Sequence, residues 1–406
     1  MPTGSDRGPV SAESTSARGP LAGLRVLEIA GIGPGPFCAH LFADLGADVI
    51  RVDRADSATD AKAARLDVMN RGRRSIAVDL KRPEGVEAVL RLAACADVLF
   101  EGFRPGVVER LGIGPDACLA RNPRLVYGRM TGYGQSGPMA SAAGHDINYI
   151  SLAGALHHIG RKDAPPTPPL NLVGDFGGGS MYLSFGLLCA LIESARSGVG
   201  QVVDASMVDG VASLMTTFYG VHPYVLGERG TNILDSGAPF YDVYECSDGR
   251  YVSIGAIEPQ FFAELLARLA IAPAEVGPQL EQANWPRMRE LFSSRFITRS
   301  MREWCSVFEG SDACFAPVLT LEEATRDPHN VHRGTFVEFE GIVQPAPAPR
   351  FSRTPGAIQR PAAIPGEHTA EILREWLGAD SVEIERLVTA SAVRLACPDE
   401  AFTWSP

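Results

Sequence analysis

Two short segments of this 406-residue chain set ionisable side chains beside glycines. In AAGHDINYIS (142–151), His145 and Asp146 follow Gly144; in NLVGDFGGGSM (171–181), Asp175 precedes three glycines and a long apolar stretch. An imidazole and a carboxylate could together carry acid–base chemistry. An aspartate at a helix start also accepts hydrogen bonds from free backbone amides, and the same amides can hold an oxyanion. Taken singly, the two residues equally read as a loop histidine and a helix N-cap. A third segment, GAIEPQF (255–261), puts Glu258 directly before a proline that can open a helix, where spacing alone makes it a first-turn carboxylate.

The elements that must position these groups follow from periodicity. Apolar runs of strand length at 24–29, 48–52, 75–80, 97–101 and 125–129 alternate with helical patterns such as 83–96. That alternation predicts an α/β fold, a Rossmann-like parallel sheet wrapped by helices, with ligands at the carboxyl ends of its strands. A nearly all-apolar helical stretch at 179–195 reads as buried, and 200–215 repeats the strand-into-helix pattern. Beyond 219 the texture changes: 241–257 has two alternating runs around Ser-Asp-Gly, the signature of a hairpin. Helical patterns at 259–270, 285–296 and 300–309 and an apolar run at 314–320 complete a smaller α+β lobe, roughly 225–330. Residues 345–366 are Pro-rich and read as irregular, 369–377 read as a helix, and 1–20 read as an unstructured tail.

Composition excludes several function classes. The formal net charge of −11 argues against nucleic acid as a general partner. No apolar run approaches the ~20 residues of a membrane span, and the N-terminus lacks a secretory signal. Eight scattered cysteines without CxxC pairs suit reduced thiols in a cytoplasmic protein better than a disulfide framework. His329 with His332, and His157 with His158, lack a third ligand, so no metal site is expected. The segment 30–54 resembles a dinucleotide fingerprint, but Pro34 and Pro36 remove two amides a pyrophosphate would use, which argues against NAD. Five basic residues against one acid in 70–83, with Arg51, Arg54, Arg104 and Arg110, read either as a solvated face or as a pocket for a small polyanion.

The segments GIGPGPFCAHLFADLGADVIRVDR, GHDINYIS, PLNLVGDFGGGSM, GQVVDASMVDG, GAPFYDVYECSDGRYVSIGAIEPQF and SDACFAPVL together resemble the family III CoA-transferase (CaiB/BaiF-like) superfamily, and within it the α-methylacyl-CoA racemases. The resemblance runs from about 21 to 355. It implies a large CoA-binding Rossmann-like domain (21–205 and 335–406), a linker helix (206–224), a small α+β domain (225–334), and an interlocked homodimer. CoA would be met by Arg54, Val78, Asp79, Leu80, Lys81, Gly102, Phe103, Arg104, Arg110, Gly144, Asp146, Ile147, Asn148 and Tyr149. His145 and Asp175 would be the catalytic pair, with Glu258 orienting His145 from the partner chain. The implied reaction interconverts (2R)- and (2S)-2-methylacyl-CoA thioesters by two-base proton transfer through an enolate. Its oxygen is expected at the amides of the Asp175 helix start, and no metal or cofactor is needed beyond the CoA of the substrate. Two alternatives stay open: a CoA-transferase in which Asp175 is the nucleophile, and a CoA-binding dimer without catalysis. Residues 54–74 vary beside the CoA positions, and nothing beyond about 375 could be placed.

Overall fold

The computed structural model describes residues 19–57, 60–221 and 226–396. Nearly all of the expected tail, Cys397 and residues 222–224 of the expected linker helix lie outside them. The chain divides into two compact units, one of Met1–Thr131, Ser180–Ala205 and Gly334–Pro406, the other of Gly132–Gly179 and Ser206–Arg333. Residues 132–179, which carry His145 and Asp175, therefore group with the residues after 206.

The first unit is built on a sheet containing β1 (Arg25–Ile29), β2 (Asp48–Arg54), β3 (Arg74–Val78), β4 (Val98–Glu101), β5 (Val126–Thr131) and β6 (Gln201–Ser206). Their spatial order is β3-β2-β1-β4-β5-β6, and the short strand Val393–Arg394 joins outside β3. β1 runs parallel to both β2 and β4, with Val26 opposite Val49 on one side and Val98 on the other. Strands covered on both faces read as continuous apolar runs, and β3 is buried along its whole length. Because β1 lies between β2 and β4, strand order reverses there, opening the crevice where such sheets take ligands. After β1, Gly33 turns the chain at φ 71° into the helix Pro34–Asp44, whose prolines occupy the first turn.

Residues beyond 375 belong to the same core. Ile372, Leu373 and Trp376 of the helix Thr369–Leu377, and Ile384 and Leu387 of the helix Ser381–Thr389, pack with Leu27, Ile50, Ile76 and Leu99. Val393–Arg394 pairs antiparallel with β3, Val393 opposite Val78.

The second unit holds an antiparallel sheet of β7 (Tyr241–Glu245), β8 (Tyr251–Gly255) and β9 (Phe315–Pro317). Its inner face meets the helices Pro259–Arg268, Trp285–Phe296 and Met301–Phe308 in a core of aromatic rings, with Phe308 stacked on Phe315 at 4.3 Å. The apolar stretch expected at 179–195 begins earlier: a π-helical run, Leu172–Met181, leads without a break into the α-helix Tyr182–Ser197. By length and composition Leu172–Ser197 could cross a bilayer; its glycines hide it from a count of large apolar residues. Within the first unit its later turns pack on β5, where a Cβ at Gly128 would lie 3.0 Å from both Leu183 and Leu187.

Candidate active site

His145 ends an extended loop and stands immediately before the helix Asp146–Leu152. Its backbone N–H donates to Asn148 Oδ1 at 3.0 Å, and its carbonyl accepts from the amide of Asn148 at 2.8 Å. The side chain itself is exposed. Tyr149 is buried beneath this loop, and its hydroxyl donates to the carbonyl of Gly144. A Cβ at Gly144 would lie 2.7 Å from the Tyr149 ring and 2.8 Å from the Tyr133 hydroxyl, so only glycine lets the loop close over the two tyrosines. The residues before His145 thus serve to fix its backbone.

Asp175 lies inside the π-helical run, in its first turn, and not at an N-cap. Its carboxylate accepts from Asn171 Nδ2 at 3.1 Å. Two amides of this turn are occupied: those of Gly174 and Asp175 donate to Asp146 Oδ2 at 2.6 and 2.7 Å. Partial burial pushes the Asp175 carboxyl above the usual range; Asn171 opposes this, the Asp146 charge adds to it, and a positive His145 opposes it. Asp175 therefore lies within electrostatic reach of both His145 and Asp146. The glycines after it serve packing: a Cβ at Gly178 would meet Val211, and one at Gly210 would lie 1.9 Å from the Gly178 carbonyl oxygen, so the helix Met207–Leu214 crosses the run backbone to backbone.

Glu258 directly precedes the helix Pro259–Arg268, exposed and without a capping bond to it. Sequence reasoning passed over two partners of Asp175. Asn171 is four residues upstream, a helical spacing that could have disclosed it. Asp146 is 29 residues away, and no local pattern shows its carboxylate on the Asp175 turn.

In the first unit the expected CoA residues gather at the carboxyl edge of the parallel strands. Arg54 ends β2, Val78 ends β3 with Asp79, Leu80 and Lys81 in the following turn, and Gly102, Phe103 and Arg104 follow β4. Arg110 ends the short helix Val107–Arg110. Arg54, Lys81, Arg104 and Arg110 are exposed. Arg54 is held in a fork by Asp56 at 2.9 and 2.8 Å, and Phe103 N donates to Glu101 Oε2 at 2.6 Å. Three cations of the basic stretch 70–83 are not available to any ligand. Arg71 is buried on Asp44 and Gln344, Arg73 on Glu28, and Arg74 on Asp48, Glu371 and Glu375. Among the described residues no three metal-ligating side chains are gathered as a metal site.

The model of CoA-transferase family III matches residues 21–369. The α-methylacyl-CoA racemase of Mus musculus is 47% identical over 372 residues, covering 90% of this chain and 96% of the relative. That of Homo sapiens is 44% identical over the same shares. Among solved structures, a CAIB/BAIF family protein from Brucella suis superposes with a TM-score of 0.75 at 26% identity, covering 88% of this chain and 100% of that one. With that fold, those relatives and a family match over most of its length, the chain belongs to CoA-transferase family III.

Proposed function

We propose that this protein is an α-methylacyl-CoA racemase, interconverting the (2R) and (2S) epimers of 2-methylacyl-CoA thioesters. The observation that carries the reading is that His145, exposed on a fixed backbone, lies within electrostatic reach of Asp175, a carboxyl that burial makes easier to protonate. From the (2S) epimer, neutral His145 removes the C2 proton, and the C–H electron pair moves onto the thioester oxygen. Protonated Asp175 returns a proton to the opposite face of C2, the electron pair re-forms the carbonyl, and the two bases exchange protonation states. The (2R) epimer follows the reverse course. A carboxyl ionised well below neutrality would rarely hold the proton it must deliver, so its upward shift serves the reaction. The amides of Gly174 and Asp175 are spent on Asp146 and that of Asn148 on the His145 carbonyl, which leaves the amides of Asp146 and Ile147 as the backbone donors of this loop for the enolate oxygen.

CoA phosphates are assigned to Arg54, Lys81, Arg104 and Arg110, whose exposed guanidinium and ammonium groups suit forked and point contacts with phosphate. The step as written uses no metal or organic cofactor. The racemase acts as a homodimer in the cytoplasm, Glu258 orienting His145 from the other chain; the exposed Glu258 carboxylate and seven described free thiols support that reading.

The test is C2 exchange in D2O, from each epimer, with no acceptor acid present. The expected result is deuterium at C2 with loss of configuration, and a fall of about 10²–10⁴-fold in His145→Ala and in Asp175→Ala. Turnover that requires a second carboxylic acid and leaves C2 unlabelled would assign a CoA-transferase instead.

A further inference from the structure

Asp146 is 6% exposed, one residue along the chain from His145, and its carboxylate is used in an unusual way. Oδ2 takes both the Gly174 amide at 2.6 Å and the Asp175 amide at 2.7 Å, while Oδ1 is buried with no hydrogen-bond partner. A buried carboxylate oxygen without a donor is unfavourable, so stability alone does not favour an anion here. The contact is also sterically specified, because a Cβ on Gly174 would lie 2.5 Å from Asp146 Oδ2 and 2.7 Å from its Cγ. One peptide bond and one hydrogen bond thus join the two residues, through His145, Asp146, its Oδ2 and the Asp175 amide.

Resting on the racemase reading, we propose that Asp146 is a positioning residue of the reaction: its buried carboxylate clips the turn that carries Asp175 to the residue after His145, and keeps a fixed negative charge beside the Asp175 carboxyl. The clip sets the separation of the two bases on either side of C2, where misplacement by an ångström is severe. The charge favours the protonated form of Asp175, against His145 from the same loop and Asn171 from its own turn, which favour the ionised form.

Asp146→Asn keeps an oxygen for both amides and removes the charge; Asp146→Ala removes both. Each is measured by kcat and KM for one 2-methylacyl-CoA across pH 4–9, and by 13C NMR titration of aspartate-labelled full-length protein, with the Asp175 signal assigned through Asp175→Asn. In Asp146→Asn the Asp175 titration, and the limb of the (2R) rate profile it governs, move to lower pH by about one unit. In Asp146→Ala kcat falls by about 10²-fold while KM changes less than about threefold. Gly174→Ala, whose Cβ would push the Asp146 carboxylate off both amides, lowers kcat as Asp146→Ala does. An Asp175 titration unmoved in Asp146→Asn, or wild-type kcat in Asp146→Ala, overturns the proposal. The NMR titration needs no turnover, so a wild-type protein that exchanges nothing at C2 would remove the racemase reading while the shifted titration still supports the clip.

Discussion

Gly210→Ala tests whether the Asp175 run is placed by close helix packing. The new Cβ would lie 1.9 Å from the Gly178 carbonyl oxygen, 2.7 Å from its carbon and 2.9 Å from its Cα. All three are backbone atoms, so no rotamer relieves the clash, and the helix Met207–Leu214 must withdraw by about 1.5 Å to reach an ordinary contact. Overpacking of this kind costs about 1–3 kcal/mol, or roughly 2–12 °C in melting temperature for a unit of this size. The kinetic effect is larger, since a displacement of about 1 Å in the run reaches Asp175 and can lower turnover about 10²-fold. Gly220→Ala is the control: Gly220 lies in the helix Thr216–Val221 with open space where a Cβ would go. Alanine there should be neutral or stabilise by up to about 1 kcal/mol. The assays are calorimetric melting and C2 exchange in D2O. A Gly210→Ala protein that melts and exchanges like Gly220→Ala would refute the claim that this crossing positions the base.

Two further outcomes follow from the first unit. Arg73 and Glu28 form a 2.6 Å ion pair, each about 1% exposed, so Arg73→Ala strands a buried carboxylate and should lower stability by about 3–5 kcal/mol. Glu28→Gln with Arg73→Met, by removing both charges, should recover most of that loss in a denaturant titration. Burial pushes the Glu101 carboxyl from 4.5 up to about 7, against the Phe103 amide and Arg129, which lower it. The folded state therefore binds the proton more tightly, so this contribution is complete below about 4.5 and lost as pH rises through about 7. Glu101→Gln should remove that dependence, giving a stability advantage over wild type of about 3 kcal/mol at pH 8 that vanishes toward pH 4.5.

What could be read from the sequence is what local periodicity controls. β1 to β5 lie within a residue or two of their expected positions, because strands buried on both faces are mostly apolar, the buried Glu28, Asp53, Arg74 and Ser75 among them notwithstanding. The helices Trp285–Phe296 and Thr369–Leu377 were equally legible from amphipathic spacing. The hairpin of Phe336–Phe339 with Ile342–Pro345 was missed: its turn sets Glu340 and Gly341 at φ 48° and 76°, and glutamate is not the residue that announces such a turn. Val393–Arg394 is two residues long and has no period to read. The helix was expected to start at Asp175 or at 179, whereas it begins at Leu172, a start hidden because glycine opposes helix wherever packing does not demand it.

The misreadings at the functional residues share a cause. Charge counting left Arg71, Arg73 and Arg74 either on a solvated face or in a polyanion pocket, yet each is committed to acids that the fold brings from the preceding strands and helix, at Asp44, Glu28 and Asp48. A spacing argument likewise treated the amides around Asp175 as open, when a carboxylate 28 residues upstream of Gly174 takes two of them. In each case residue type was read rightly and the partner wrongly, because a buried charge or amide is satisfied by whatever the topology brings beside it. The glycines show the same logic from the other side. Gly144, Gly174 and Gly178 look like a flexible frame around two reactive residues, but the atoms waiting at their Cβ positions belong to Tyr149, Asp146 and Val211. They are small so that a rigid neighbour can approach, and that closeness fixes the backbone on which His145 and Asp175 are carried.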